Sequence, residues 1–138
     1  MRRTVVTVIA LCVVGCGEPS AVDVTGRVTY NGAALNKTGG QIVFVDAKGT
    51  QVVADIGPDG AYRAAGVPAG PARVAVYYPN PEFKKAEKPL GQKAKAMPPP
   101  FLTPYKYASP DTSELAVTVG PGTVFDVAMT GPPLQMTR

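Results

Sequence analysis

The chain has no histidine, no tryptophan and only two cysteines among its 138 residues. Without histidine it lacks the commonest general base, the commonest zinc ligand and the usual base partner of a serine or cysteine nucleophile. Most hydrolytic chemistry is thereby disfavoured. No apolar run approaches the ~20 residues a helix needs to cross ~30 Å of hydrocarbon. Neither charge sign dominates, since 14 Lys and Arg face 10 Asp and Glu for a formal +4. Turn-forming residues are abundant instead, with 15 Gly and 15 Pro. That share stays below the roughly 25–30% of low-complexity chains, and the length suits one folded unit with many turns.

The N-terminus reads as an address. Met1-Arg2-Arg3 is a short basic start, residues 4–14 are a secretory-type apolar core, and the run ends at Val13-Val14-Gly15-Cys16 before the turn-forming Gly17-Glu18-Pro19-Ser20. These residues resemble the bacterial lipobox, with aliphatic residues at −3 and −2 and Gly at −1 before the Cys. The resemblance implies cleavage before Cys16, diacylglycerol on its sulfur and an acyl chain such as palmitate on the new amine. Residues 1–15 are then a lipoprotein signal peptide, and 16–21 the lipidated Cys and tether. At ~0.8 kcal/mol per buried CH₂ several chains anchor stably where one would not. An ordinary signal peptide with an incidental cysteine is the other reading. On the first, Cys12 is discarded and Cys16 carries lipid, so the mature chain has no thiol for a disulfide or metal.

From Val22 the pattern alternates with period two. Val22, Val24, Gly26, Val28 and Tyr30 share one face, and Asn31-Gly32 turns the chain. Gln41 to Val45 is apolar on both faces after Ile42, as in a central strand. Further alternating runs follow around Val52 to Ile56, Tyr62 and Ala64, Ala72 to Tyr78, Leu115 to Val119 and Phe125 to Met129, separated by Gly and Pro turns. Seven short strands with turns about every ten residues predict an all-β sandwich. No stretch carries a helical period, because the nearest, Glu82 to Lys88, is cut off by Pro89 and Gly91.

Gly26-x-Val28, Asn31-Gly32-x-x-Leu35, Asp59-Gly60-x-Tyr62 and Val67-Pro68-x-Gly70 leading into Val74-x-Val76 resemble, in order and spacing, the carboxypeptidase regulatory-like domain. The closing Lys106-Tyr107 to Val119 stretch is similar to the ending of bacterial envelope lipoproteins that carry this domain. The resemblance implies a seven-stranded Greek-key, prealbumin-like (transthyretin-like) sandwich over residues 22–130, followed by a tail at 131–138. It further implies a non-catalytic structural or interaction module in the cell envelope, not an enzyme and without a cofactor. Two positions depart from the pattern, Ala72 where an aromatic is common and Ala34 where Pro is. Asp46, Asp55, Asp59 and Asp126 lack the spacing of a calcium loop, so no metal site is expected.

Between Pro79 and Ser109 alternation stops. This stretch holds six Lys against two Glu, whereas the rest of the chain after Cys16 holds six basic against eight acidic residues. Six of the ten aromatics lie in or beside it. A basic, aromatic loop insertion over 80–107 therefore offers Lys84, Lys85, Lys88, Phe83, Tyr105 and Tyr107 as candidate ligand-binding residues. Ammonium groups and flat rings together suit an acidic glycan or anionic lipid headgroups. The plainer reading is a solvated Lys-rich excursion whose aromatics pin it to the sandwich edge. Expected partners are the membrane, through the lipid anchor, and an envelope protein or acidic polysaccharide. The exported address disfavours nucleic acid.

Overall fold

The computed structural model describes residues 20–86 and 99–134. The expected signal peptide, Cys16 and the last four residues lie outside the described residues. Seven strands form: β1 (Ala21–Tyr30), β2 (Gln41–Asp46), β3 (Gln51–Asp55), β4 (Ala61–Pro68), β5 (Gly70–Tyr77), β6 (Leu115–Val119) and β7 (Val127–Met129). They make two sheets, ordered β4-β1-β7 and β3-β2-β5-β6. The all-β sandwich expected from alternation is the observed architecture.

The burial pattern explains the order. β1 turns Val24, Val28 and Tyr30 into the core and is paired on both sides, antiparallel to β4 and parallel to β7. β2 lies between β3 and β5, which is why Ile42, Phe44 and Val45 are all buried and its sequence shows no polar face. Phe44 sits at the centre, its ring centroid 6.1 Å from Tyr62 and 6.5 Å from Phe125. Val74, Val76, Tyr78 and Met129 complete the layer between the sheets.

Two local features differ from the sequence expectation. The last strand begins at Val127 rather than Phe125, because the residues before it are bound to other groups. The Arg27 amide donates to the Asp126 carboxylate (2.9 Å), the Phe125 amide to the Thr25 carbonyl (2.8 Å), and the Tyr62 hydroxyl to the Phe125 carbonyl. A short helix, α1 (Pro81–Ala86), forms where none was expected. Proline suits a first helical position, and the Asn80 side chain accepts the Glu82 amide at 3.0 Å, so the start is capped even though the following sequence cannot extend it. A 3-10 turn, Tyr105–Ala108, also forms in the expected loop.

Phe125 packs directly over Gly26, where an added Cβ would overlap the Phe125 carbonyl. Gly26→Ala should therefore lower stability by about 1–3 kcal/mol, read as a lower urea midpoint at unchanged m-value. Tyr78 is 1% exposed, and its hydroxyl has no hydrogen-bond partner among the described residues. Burial pushes its pKa up to about 12. An unfolded tyrosine ionises near ~10, so above that pH the unfolded chain releases a proton that the folded one keeps. The Tyr78 share of stability should therefore be lost between about pH 10 and pH 12. Tyr78→Phe should make that fall shallower without abolishing it, because burial raises Tyr62 and Tyr30 as well, and at neutral pH it should raise stability by about 1 kcal/mol in the same denaturation assay.

Candidate functional site

β1, β5 and β7 all end at one pole of the sandwich, and β2 begins there, with Gln41 opposite Tyr77 and Tyr30 opposite Met129. At this pole lies a groove of about 1030 Å³. Its walls come from the connection after β1 (Asn31 to Thr38), the segment from Pro79 to Glu82, a strap at residues 99–105 and the tail at 132–134.

Each wall is held by side chains from its neighbour. Asn31 clasps Gly131 twice, donating to its carbonyl at 2.9 Å and accepting its amide at 3.1 Å. The Tyr30 hydroxyl donates to the Pro132 carbonyl at 2.6 Å. This close passage of the tail needs glycine at 131, since a Cβ would overlap the Tyr30 hydroxyl and the Pro104 ring. On the other side Asn80 donates through its side chain to the Pro99 carbonyl (2.8 Å), and its amide to Pro100 (2.9 Å). The Leu102 amide reaches the Tyr78 carbonyl at 2.8 Å. The strap thus continues the sheet beside β5, where pairing with β6 has stopped at Val74 and Leu115.

Three aromatic rings run from the sheet to the solvent along this strap. Tyr77 lies 5.7 Å from Phe101, and Phe101 lies 5.8 Å from Tyr105, centroid to centroid. Tyr77 is fixed by donating its hydroxyl to Gln41, which in turn donates to Asp55 at 3.3 Å. Tyr105, at the far end, is 71% exposed. Six of the lining residues are prolines, namely Pro79, Pro81, Pro99, Pro104, Pro132 and Pro133. Three of their carbonyls are already engaged, Pro99 by the Asn80 side chain, Pro104 by the Tyr107 amide and Pro132 by the Tyr30 hydroxyl. Lys37 and Glu82 are the charged side chains on the rim.

Of the residues singled out from sequence, Tyr105 lines the groove and Phe83 is half-buried on α1, next to the lining residue Glu82. Lys84 and Lys85 belong to α1, while Lys88 and Cys16 lie outside the described residues. Tyr107 is a correction: it packs in the core at 5% exposure and offers no ring to a ligand. The 3-10 turn sends Tyr105 outward and Tyr107 inward. The Thr130 amide donates to the Tyr107 hydroxyl at 3.1 Å and holds its pKa below the ordinary tyrosine range, while the Lys106 ammonium lies 4.8 Å over its ring. Sequence reasoning missed Asn31 and Asn80, and it did not use the Gly131-Pro132-Pro133 run that marked a tail wall.

A second, shallower hollow of about 410 Å³ lies toward the opposite pole, against Val45, Asp46, Arg73 and Thr118. Its charged groups are already engaged, Asp46 with the Lys48 and Thr50 amides of its own turn and Arg73 with Asp111. Among the described residues no group of three His, Cys, Asp or Glu is placed to hold a metal.

Together these features define an all-β sandwich module with a proline and aromatic groove at one pole. No family profile matches the chain, and no curated protein does. Among solved structures it is similar to a DUF3823 family protein from Parabacteroides merdae, at 18% identity and a TM-score of 0.49, over 80% of this chain and 46% of that one. Another DUF3823 family protein, from Bacteroides ovatus, is similar at 16% identity and 0.44, over 78% and 43%. The chain spans less than half the length of either structure.

The clasp on the tail is open to direct test. Asn31→Ala should cost about 1–2 kcal/mol of stability by chemical denaturation and speed hydrogen exchange at the Gly131 amide, leaving amides in the middle of β2 protected.

Proposed function

We propose that the protein is a non-catalytic binding module of the bacterial cell envelope, exported and held to a membrane by lipid on Cys16, with the polar groove as its working surface. The basic start, the apolar core and Val13-Val14-Gly15-Cys16 support the address. The turn motifs support a carboxypeptidase regulatory-like, prealbumin-like Greek key.

The observation that carries the binding role is the exposed Tyr105 ring, backed by Phe101 and Tyr77, on the stretch of chain that holds six lysines. The polar side chains of the groove act as struts: Asn31, Asn80 and Tyr30 each hold a neighbouring wall. Stacking faces on a lysine-rich stretch of sequence suit a ligand with negative charge, either an acidic glycan or anionic lipid headgroups.

Intact-mass analysis of protein extracted from membranes tests the anchor. The chain should begin at Cys16 and carry the added mass of acyl groups, and Cys16→Ser should move it from the detergent phase to the aqueous phase. A wild-type chain that retains Met1 and no lipid overturns the reading.

A further inference from the structure

We propose that Asn31 is a self-acting modification site: its side chain loses ammonia to the neighbouring Gly32 amide, and the product lets go of the tail that forms one wall of the groove. In an asparagine followed by glycine, the glycine nitrogen attacks the side-chain carbonyl carbon, Cγ. Its proton passes to the side-chain nitrogen, which departs as ammonia, and a five-membered succinimide remains. Water then opens one of the two ring carbonyls and leaves aspartate or isoaspartate. Water is the sole co-reactant, and nothing is oxidised or reduced.

The sequence confines this chemistry to one place. The chain has three asparagines, and Asn80 precedes Pro81, whose nitrogen has no proton to give, while Asn36 precedes Lys37, whose side chain crowds the approach. Gly32 has no such bulk. Its N–H has no hydrogen-bond partner among the described residues, so the attacking nitrogen is not tied up elsewhere.

The fold makes the step conditional. Asn31 (φ 50°) and Gly32 (φ 85°) are the central pair of a two-residue turn, closed by the Tyr30 amide on the Ala33 carbonyl (2.7 Å) and the Ala33 amide on the Tyr30 carbonyl (3.2 Å). The Asn31 side chain is meanwhile committed to Gly131, at 2.9 Å through its Nδ2 and 3.1 Å through its Oδ1. Closing the succinimide turns that amide toward the Gly32 nitrogen and breaks both bonds. Reaction therefore proceeds from the minor population in which the tail has lifted.

The product cannot rebuild the clasp. Aspartate keeps an acceptor for the Gly131 amide but sets a second carboxylate oxygen against the Gly131 carbonyl, where the Nδ2 donor had been. Isoaspartate adds a methylene to the backbone and breaks the two-residue turn as well. Either form loosens the passage of the tail beside Tyr30, and with it the Tyr30 hydroxyl bond to Pro132. The groove wall at 132–134 thus depends on the chemical integrity of one side chain.

The full chain, folded or in urea, is aged in mildly alkaline buffer, and the peptide containing Asn31 is followed by the one-unit mass gain of NH2 to OH. Folded protein should react at Asn31 about tenfold more slowly than protein in urea. Gly131→Ala, whose Cβ would overlap the Tyr30 hydroxyl, should lift the tail and bring the folded rate toward the unfolded one. Tyr30→Phe removes only the bond to Pro132 and should quicken the folded rate by about threefold. Should hydrogen exchange in the middle of β2 show Gly131→Ala unfolded, Tyr30→Phe decides alone. Asn31→Asp should exchange the Gly131 amide faster than wild type while β2 stays protected, and aged wild type should match it. Equal rates in folded and unfolded chain, Asn36 reacting before Asn31 in urea, an unchanged rate in Tyr30→Phe, or unaltered Gly131 exchange in Asn31→Asp each overturns the proposal.

Discussion

Phe125 can lie against β1 only because position 26 has no side chain, and much of the remaining architecture follows from that contact. With the Phe125 amide on the Thr25 carbonyl and its own carbonyl held by the Tyr62 hydroxyl, the last part of the chain is aligned parallel to the first strand before β7 begins. Parallel alignment sends the chain toward the same pole that β1 reaches. The tail therefore arrives beside Tyr30 and Asn31, where it becomes a groove wall. An antiparallel last strand would have carried residues 131–134 to the other end of the sandwich, and the groove would lack one side. A close approach in the middle of a sheet thus determines the shape of a surface at its end.

The groove is held open by its own polar side chains. Its asparagines and its inward tyrosine bind backbone groups of adjoining segments, which fixes the walls. Rigid walls also lower the ordering cost of binding, because the strap is already paired to the end of β5 before anything enters.

Much of the fold could be read from the sequence because burial in a sandwich leaves a local mark. The alternation of β1 and the two-sided apolarity of β2 followed directly from which faces are covered. The parallel partnership of first and last strands left no such mark, since Val28 and Val127 are linked only through the folded core. The candidate site was half legible. Composition singled out the lysine and aromatic stretch and so Tyr105, yet spacing along the chain did not show that a 3-10 turn would send Tyr107 into the core. Asn31 read as a turn residue because its partner, Gly131, is 100 positions away. The short helix α1 escaped because its stability comes from the Asn80 cap and a leading proline, not from an apolar stripe.

The exposure of Tyr105 has an optical and chemical consequence. The chain has no tryptophan, and its other five tyrosines are buried or half-buried in the sandwich. Phenol-directed reagents such as iodine or tetranitromethane should label Tyr105 first, marking the groove without an engineered tag. Protection of that one ring from labelling would report occupancy of the groove without any further probe.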